Sequence, residues 1–179
     1  MKKENFRIND FIGIYDEVDN DHFGLGKVIA LDEENIIISA VDPAGLSSGL
    51  ALYKIESIYK YEKDTLYCNK IKRLMEYKKS KLMELQFSSN NIALELLEIA
   101  KKSKMIVEIE LLNSHEGDIT GIVCNLNEDV CEIDKIDYLG KNDGKYFINI
   151  EDITLIKYNE LRNSDLEILR NTENGSINK

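Results

Sequence analysis

Residues 26–74 read GKVIALDEENIIISAVDPAGLSSGLALYKIESIYKYEKDTLYCNKIKRL, and residues 121–169 read GIVCNLNEDVCEIDKIDYLGKNDGKYFINIEDITLIKYNELRNSDLEIL. The two stretches align without a gap at an offset of 95 residues and are identical at 13 of 49 positions. Unrelated segments of this length share roughly three positions, so the chain contains a duplicated structural unit. Gly26, Gly45 and Gly49 are among the residues that recur in the second copy.

Each copy has the pattern of short β-strands separated by tight turns, with β-branched residues in the runs and Asp, Asn and Gly between them. The first copy predicts five strands: Phe11–Tyr15, Gly24–Leu31, Ile36–Val41, Leu50–Tyr53 and Ile55–Tyr61. The second copy predicts five more: Met105–Leu112, Gly121–Leu126, Val130–Ile136, Lys145–Ile148 and Ile153–Tyr158. Because five short strands cannot bury both faces as a flat sheet, we expect each copy to curl into a small barrel.

Amphipathic helices are predicted between and after the two copies. One apolar stripe runs from Ile71 to Leu85, a second covers Ile92–Ala100, and a last short helix is predicted over Glu160–Arg170. We expect these stripes to pack on the barrels, with a partner-helix or coiled-coil role as the alternative. The fold class predicted is therefore α+β, mainly β, with two duplicated five-stranded barrels joined by a helical connector.

The charge of the chain changes sign along its length. Residues 1–62 carry a net charge of −6, residues 63–104 carry +5 and residues 105–158 carry −8, within a total of −10. These limits define barrel 1, the helical connector and barrel 2, followed by a C-terminal helix and tail over 159–179. One interpretation is that these charges lie on solvated surface and that the basic connector is attracted to the acidic barrels. The other is that the acidic barrels bind a basic protein partner, because complementary charge favours that encounter.

No run of 18 apolar residues is present, so we expect no membrane span. Three unevenly spaced cysteines, Cys68, Cys124 and Cys131, do not suit a disulfide framework. They are typical of a reducing compartment, so we predict a cytoplasmic protein. Cys124 and Cys131 flank a predicted hairpin turn and are expected to be packed thiols.

The pattern resembles the Sm-like superfamily, whose barrels have a helix, five strongly bent strands and a glycine in the second strand. The first Sm motif is matched approximately by Gly26, Val28, Asp32 and Asn35-Ile36, and in the second copy by Gly121, Val123, Asn127 and Val130-Cys131. Leu52-Tyr53-Lys54-Ile55 resembles the corresponding segment of the Hfq-type bacterial RNA chaperones. The two glycines fit a strand that bends sharply while another backbone approaches closely. The resemblance implies that each copy is a small Sm-like or SH3-like barrel.

By position, the resemblance implies possible nucleic-acid contacts at Asp32, Asn35, Tyr53 and Lys54. The connector adds a second set of candidate phosphate contacts, the cations Lys70, Arg73 and Lys81. The second copy keeps none of the four polar motif groups, and the acidic barrels would repel a phosphate backbone. Nucleic acid is therefore the less favoured partner.

The residues that usually carry enzyme chemistry are sparse and lack the required spacing. His22 and His115 fall in turns and are not equivalent in the repeat, and no paired spacing supplies a zinc site. Cys68 has no neighbouring histidine that would mark it as a nucleophile. Asp16–Asp21 lacks the glycine and terminal Glu of a calcium loop, so weak cation binding is the most it indicates.

The sequence therefore predicts a protein that is not an enzyme and needs no cofactor or metal. The favoured function is a protein-interaction or adaptor module with acidic barrel surfaces. Inhibition of a basic protein partner is one form that this function could take. Self-association through edge strands is a further expectation. The alternative is an Sm-like RNA-binding regulatory protein.

Overall fold

The computed structural model describes residues 1–16, 23–112 and 119–174 of the chain. Within these residues it has three α-helices: α1 (Leu66–Lys78), α2 (Ile92–Ser103) and α3 (Glu160–Asn174). The strands in the first half are β1 (Phe11–Asp16), β2 (Phe23–Leu31), β3 (Asn35–Val41), β4 (Ser47–Lys54) and β5 (Ile58–Lys63). Those in the second half are β6 (Ile106–Leu111), β7 (Ile119–Leu126), β8 (Val130–Ile136), β9 (Asn142–Asn149) and β10 (Ile153–Tyr158).

All ten strands form one antiparallel sheet in the order β5-β1-β2-β3-β4-β10-β6-β7-β8-β9. The predicted α+β, mainly β class is confirmed. Two separate barrels are not confirmed, because β4 pairs with β10 of the other half, and among the described strands β5 pairs only with β1. We call β1–β5 unit 1, β6–β10 unit 2, and the β4–β10 pairing the joint.

The 95-residue offset holds for strand order and for register. Gly26 pairs with Ala40 in unit 1 and Gly121 pairs with Lys135 in unit 2. Both ladders shift register directly after the equivalent valines, Val28 and Val123. Identical bulge positions require more than a similar hydrophobic pattern, so the two units share one backbone plan.

Gly26 and Gly121 lie where a neighbouring strand leaves no room for a side chain. A Cβ on Gly26 would collide with the carbonyl oxygen of Ser39, and one on Gly121 would collide with that of Asp134. The close backbone approach predicted for these glycines is therefore confirmed.

The joint strands contribute to two hydrophobic cores at once. Tyr53 and Leu155 pack in a core made mainly by unit 1, whereas the adjacent Leu52 and Ile156 pack with α2 in a second core that both units line. This follows from strand geometry, since successive side chains point to opposite faces of the sheet. Each core therefore depends on strands supplied by both units.

Helix α1 packs on unit 1 and ends earlier than the sequence predicted. Its buried residues, Cys68 and Ile71, contact Phe11, Leu25 and Val41 of the sheet. The apolar stripe indicated a helix continuing to Leu85, but Lys79 adopts a left-handed conformation (φ 53°) and closes the helix. Leu82 and Leu85 reach the cores from non-helical chain, so apolar spacing was a misleading signal there.

The other two helices cover different parts of the sheet. Helix α2 buries the apolar face that the sequence predicted and lies in the core shared by both units. Helix α3 packs on unit 2, where Leu166 contacts Ile106 and Ile136. Among the described residues, no helix combines the length and the apolar composition needed to cross a bilayer.

Candidate functional site

One turn from each unit lies beside the joint. In the β2–β3 turn, the Asp32 Oδ1 atom accepts hydrogen bonds from the backbone N–H groups of Glu34 (2.9 Å) and Asn35 (2.7 Å). In the β7–β8 turn, Asn127 Oδ1 accepts the equivalent bonds from Asp129 (2.9 Å) and Val130 (2.7 Å). A side-chain oxygen at this position fixes the turn in both units.

Asp32 also fixes the start of helix α2. Its second oxygen, Oδ2, accepts a bond of 2.9 Å from the backbone N–H of Ile92, the first residue of the helix. Asn91 caps the same end by accepting from the Leu94 N–H at 3.0 Å. A carboxylate is favourable there because it faces the positive end of the helix dipole. The N-terminus of α2 is thereby held beside the joint.

These turns and the start of α2 enclose a cavity at the joint. It has a volume of about 320 Å³ and adjoins a second cavity of about 480 Å³, with Glu34, Lys54 and Glu151 shared between them. We call the two together the joint cleft. Its wall includes residues from both units and α2, namely Asn35, Leu52, Asn91, Ala93, Glu128, Asp129, Asn149, Ile150 and Ile153.

The joint cleft is predominantly acidic. Seven carboxylates and three lysines line it: Glu4, Glu33, Glu34, Glu56, Glu128, Asp129, Glu151, Lys2, Lys3 and Lys54. Two of the lysines are already paired. Lys3 lies 2.6 Å from Glu33, whose hydrogen bond raises the pKa of the lysine, and Lys54 lies 3.0 Å from Glu56. The excess negative charge comes from both units.

Lys54 links the two units across the cleft. Besides its ion pair with Glu56, its ammonium group donates a hydrogen bond of 2.7 Å to the backbone carbonyl of Glu151. Glu56 and Glu151 are equivalent in the repeat, so this one lysine contacts the same turn in both copies. These two contacts fix the position of the Lys54 ammonium group.

The four motif residues that the Sm resemblance implies do not converge on one site. Asp32 binds the backbone of the turn and of α2, and Asn35 is only 8% exposed. Tyr53 is 3% exposed, and its hydroxyl lies against Gly24, where burial raises the pKa of the phenol. Asn35 and Lys54 line the joint cleft; Asp32 and Tyr53 do not.

The three connector cations lie in two different settings. Lys70 and Arg73 are exposed on α1, where a shallow depression is lined by both together with Leu74, Glu76 and Tyr77. Lys81 is exposed in the chain that follows α1, so it is not on a helix as the sequence predicted. The structure therefore brings Lys70 and Arg73 together on α1, whereas Lys81 lies outside this helix.

Other candidate residues offer little chemistry within the described part of the chain. His22, His115 and the stretch 17–21 lie outside the described residues, and in the rest no group of three His, Cys, Asp or Glu side chains could hold a metal. All three cysteines are free thiols. Burial raises the pKa of Cys131 to about 12, and burial also raises that of the half-buried Cys124.

Sequence reasoning missed the joint cleft as a site. Its residues come from six separate segments of the chain, and those of the two units are brought together by the β4–β10 pairing. The sequence did contain a signal for an acidic site. Acidic turns recur at the same repeat position, 33–34 and 128–129, and Glu56 recurs as Glu151. The partly buried ion pair of Lys157 with Glu110 (2.8 Å), also near the joint, had no such signal.

In comparisons with protein-family models, with curated proteins and with solved structures, the chain gave no match.

Proposed function

We propose that the protein is a non-catalytic interaction module, acting in the cytoplasm, that binds a basic segment of a protein partner in the joint cleft. The observation that carries this proposal is the set of carboxylates that the two units place around one cavity of about 320 Å³. Neither unit supplies this set alone, so the duplication and the pairing of β4 with β10 would serve a common binding surface. No cofactor is required.

The physical argument is electrostatic complementarity in a concave site. Field lines concentrate in a cleft lined by one sign of charge, which speeds encounter with an oppositely charged partner and disfavours others. The side chain of a partner Lys or Arg would find several carboxylate acceptors there, on the exposed residues Glu34, Glu128, Asp129 and Glu151. An inhibitory role toward a basic enzyme or toxin is one form of this function.

We also propose that each unit is an Sm-like element. The support is the repeated five-strand order and the glycine in the middle of the second strand, packed against neighbouring backbone in both copies. The two units would then form a fused pair in which β10 occupies the sheet edge that β4 would otherwise expose.

RNA binding is the second candidate function. It is favoured by one observation, the exposed pair Lys70 and Arg73 with the adjacent ring of Tyr77 on α1. Cations with an aromatic neighbour suit a single-stranded nucleic acid. The Sm motif residues add little to this candidate, because Asp32 and Tyr53 are committed to interior contacts.

The test is affinity capture of the tagged chain from lysate, with and without nuclease. A cleft variant carries Glu34→Gln, Glu128→Gln, Asp129→Asn and Glu151→Gln. A control variant makes the same change in charge elsewhere, at exposed residues, with Asp64→Asn, Glu76→Gln, Glu84→Gln and Glu98→Gln. We expect a basic protein that survives nuclease, is retained by the control and is lost from the cleft variant.

Two results would overturn the proposal in different ways. A partner retained equally by the cleft variant would place the interaction on another surface. RNA that is removed by nuclease, with no protein remaining, would favour the RNA-binding candidate instead. In that case Lys70→Glu with Arg73→Glu should abolish capture, and binding should weaken steeply with salt.

A further inference from the structure

A further cavity, separate from the joint cleft, lies at the other end of the β4–β10 pairing. It has a volume of about 150 Å³, and its wall includes the start of β2, the end of β3, part of β4 and the end of β10. It shares no residue with the joint cleft. Because the buried side chain of Tyr53 lines it, we call it the Tyr53 cavity.

Small residues keep this space open in unit 1, whereas unit 2 has large residues at the same repeat positions. Gly24, Ala40 and Ala51 line the Tyr53 cavity. At the offset of 95 residues, their counterparts are Ile119, Lys135 and Tyr146. Protein interiors are normally packed with few voids larger than a water molecule. The small residues therefore indicate that unit 1 reserves this space for a molecule.

The Tyr53 hydroxyl is a hydrogen-bond donor without an acceptor in the described part of the chain. Tyr53 is only 3% exposed, and its hydroxyl takes part in none of the hydrogen bonds among the described residues. Burial, together with the nearby carboxylates of Asp16 and Glu110, raises the pKa of the phenol, so the proton stays on the oxygen at neutral pH. An unmade hydrogen bond in an interior is costly, so buried donors normally have an acceptor. A bound molecule that carries an acceptor would satisfy this hydroxyl.

Two largely buried charges of opposite sign line the same cavity. Lys157 lies 2.8 Å from Glu110, and Glu108 lies 2.7 Å from Arg162; Lys157 and Glu108 line the cavity, and their partners do not. These ion pairs hold the two groups in place before any ligand binds, which lowers the cost of binding. Glu108 would repel a simple anion and Lys157 would repel a simple cation, whereas a molecule that carries both charges is complementary to both.

We propose that the Tyr53 cavity binds a small zwitterion, an α-amino acid with a small side chain such as glycine, alanine or serine. The carboxylate of the ligand accepts a hydrogen bond from the Tyr53 hydroxyl and faces the ammonium group of Lys157, and the ammonium group of the ligand faces Glu108. A cavity of about 150 Å³ accommodates about six non-hydrogen atoms, which is the size of alanine. The joint cleft takes no part in this site, so the proposal does not rest on the proposed function.

The test is an NMR titration of the isotope-labelled full chain with glycine, L-alanine and L-serine. Propionate and ethylamine serve as probes that carry only one of the two charges. We expect the amino acids to shift the amide signals of residues 24–25, 51–53 and 157–159, and the single-charge probes to leave them unchanged at the same concentration.

Variants of the cavity wall locate the binding. Tyr53→Phe removes only the hydroxyl and should weaken binding about tenfold, without loss of stability in urea denaturation because the hydroxyl bonds to nothing in the described chain. Ala40→Val narrows the cavity and should weaken binding at least about tenfold. The control is Tyr61→Phe, since Tyr61 packs against the same core but does not line the cavity, and it should bind like the wild type.

Three results would overturn the proposal. If none of the amino acids shifts these amides, the cavity holds water only. If propionate or ethylamine binds as well as alanine, the ligand is not recognised as a zwitterion. If Tyr53→Phe binds alanine like the wild type, the ligand is bound elsewhere, and this variant decides the point even if Ala40→Val does not fold.

Discussion

The joint and the outer edges of the sheet are built from equivalent segments, yet in the described part of the chain only the joint segments pair with each other. At the joint, Leu52, Leu155 and Ile156 are buried, and their neighbours across the pairing are apolar. At the edges, the equivalent residues are Phe147, Lys60 and Tyr61, and Phe147 is 70% exposed. The backbone plan is the same, so the side chains decide which edge accepts a partner strand.

The largest change in the free energy of unfolding is expected when residues are exchanged between the joint and an edge strand. Leu155→Lys places the edge residue into the joint, where an ammonium group would lose its water without a partner. We expect the free energy of unfolding to fall by about 4 kcal/mol, measured by urea denaturation. Lys60→Leu, the reverse exchange at the edge, should change it by less than about 1 kcal/mol.

If Leu155→Lys yields no folded protein, Leu155→Ala tests the same point with a smaller change. It leaves a cavity and should lower the free energy of unfolding by about 3 kcal/mol. Equal effects of the Leu155 and Lys60 substitutions would mean that the joint is not a distinct structural feature.

A matched pair of glycines gives a second comparison. Gly49 on β4 and Gly144 on β9 occupy the same repeat position with similar backbone angles, φ +104° and +88°. A Cβ on Gly49 would collide with the carbonyl oxygen of Tyr158 across the joint, whereas one on Gly144 would meet nothing within 4 Å.

Gly144→Ala should therefore lower stability by only about 1 kcal/mol, the strain of a side chain at positive φ. Gly49→Ala carries the same strain and must also displace β10. We therefore expect its free energy of unfolding to fall by about 3 kcal/mol. Thermal and urea unfolding of the two variants measure the difference. Similar losses for both would show that the clash at the joint is relieved at little energetic cost.

The sequence predicted local structure well because local structure depends on neighbouring residues. The limits of β8 and β10 are as predicted, and the apolar face of α2 is buried as its periodicity indicated. The end of α1 was missed, since Leu82 and Leu85 keep helical spacing although the chain turns at Lys79. Apolar spacing reports which side chains reach a core, and a non-helical chain can satisfy it too.

The joint cleft could not be predicted in the same way. It requires the pairing of β4 with β10, about 100 residues apart in the chain, and neither strand alone indicates its partner. Asp32 illustrates the difficulty. Its role in the turn is readable from Asp32-Glu33-Glu34-Asn35, but its bond to Ile92 depends on where α2 packs.

Asp32 and Asn127 allow the contribution of that bond to be measured. Both fix their turn through one oxygen, but only Asp32 has a second oxygen for α2, the helix that packs in the core beside the joint. Asp32→Asn would keep the turn and point an amide donor at the Ile92 N–H. We expect the free energy of unfolding of Asp32→Asn to be about 1.5 kcal/mol lower than that of the wild type.

Asn127→Asp should change stability by less than about 0.5 kcal/mol, because its turn oxygen is retained and no helix start is bound there. Hydrogen exchange of the α2 amides provides a second measurement. Faster exchange at the start of α2 in Asp32→Asn, with no change in Asn127→Asp, is the expected pattern. A neutral Asp32→Asn would mean that α2 is held by its apolar face alone.

The smallest effect concerns the other carboxylate at the start of α2. Glu95 accepts hydrogen bonds from the backbone N–H groups of Ser89 (2.9 Å) and Ser88 (3.0 Å), and these bonds lower its pKa below the ordinary value of 4.5. A carboxyl group with a lowered pKa in the folded chain stabilises it above the unfolded pKa, and this contribution is lost as the pH falls through the folded pKa. Because Glu95 is partly exposed, we expect only about 0.5 kcal/mol, measured as the difference in urea stability between the wild type and Glu95→Gln at neutral pH. That difference should disappear in acid below the folded pKa. A difference that persists there would show that Glu95 acts through packing rather than through its charge.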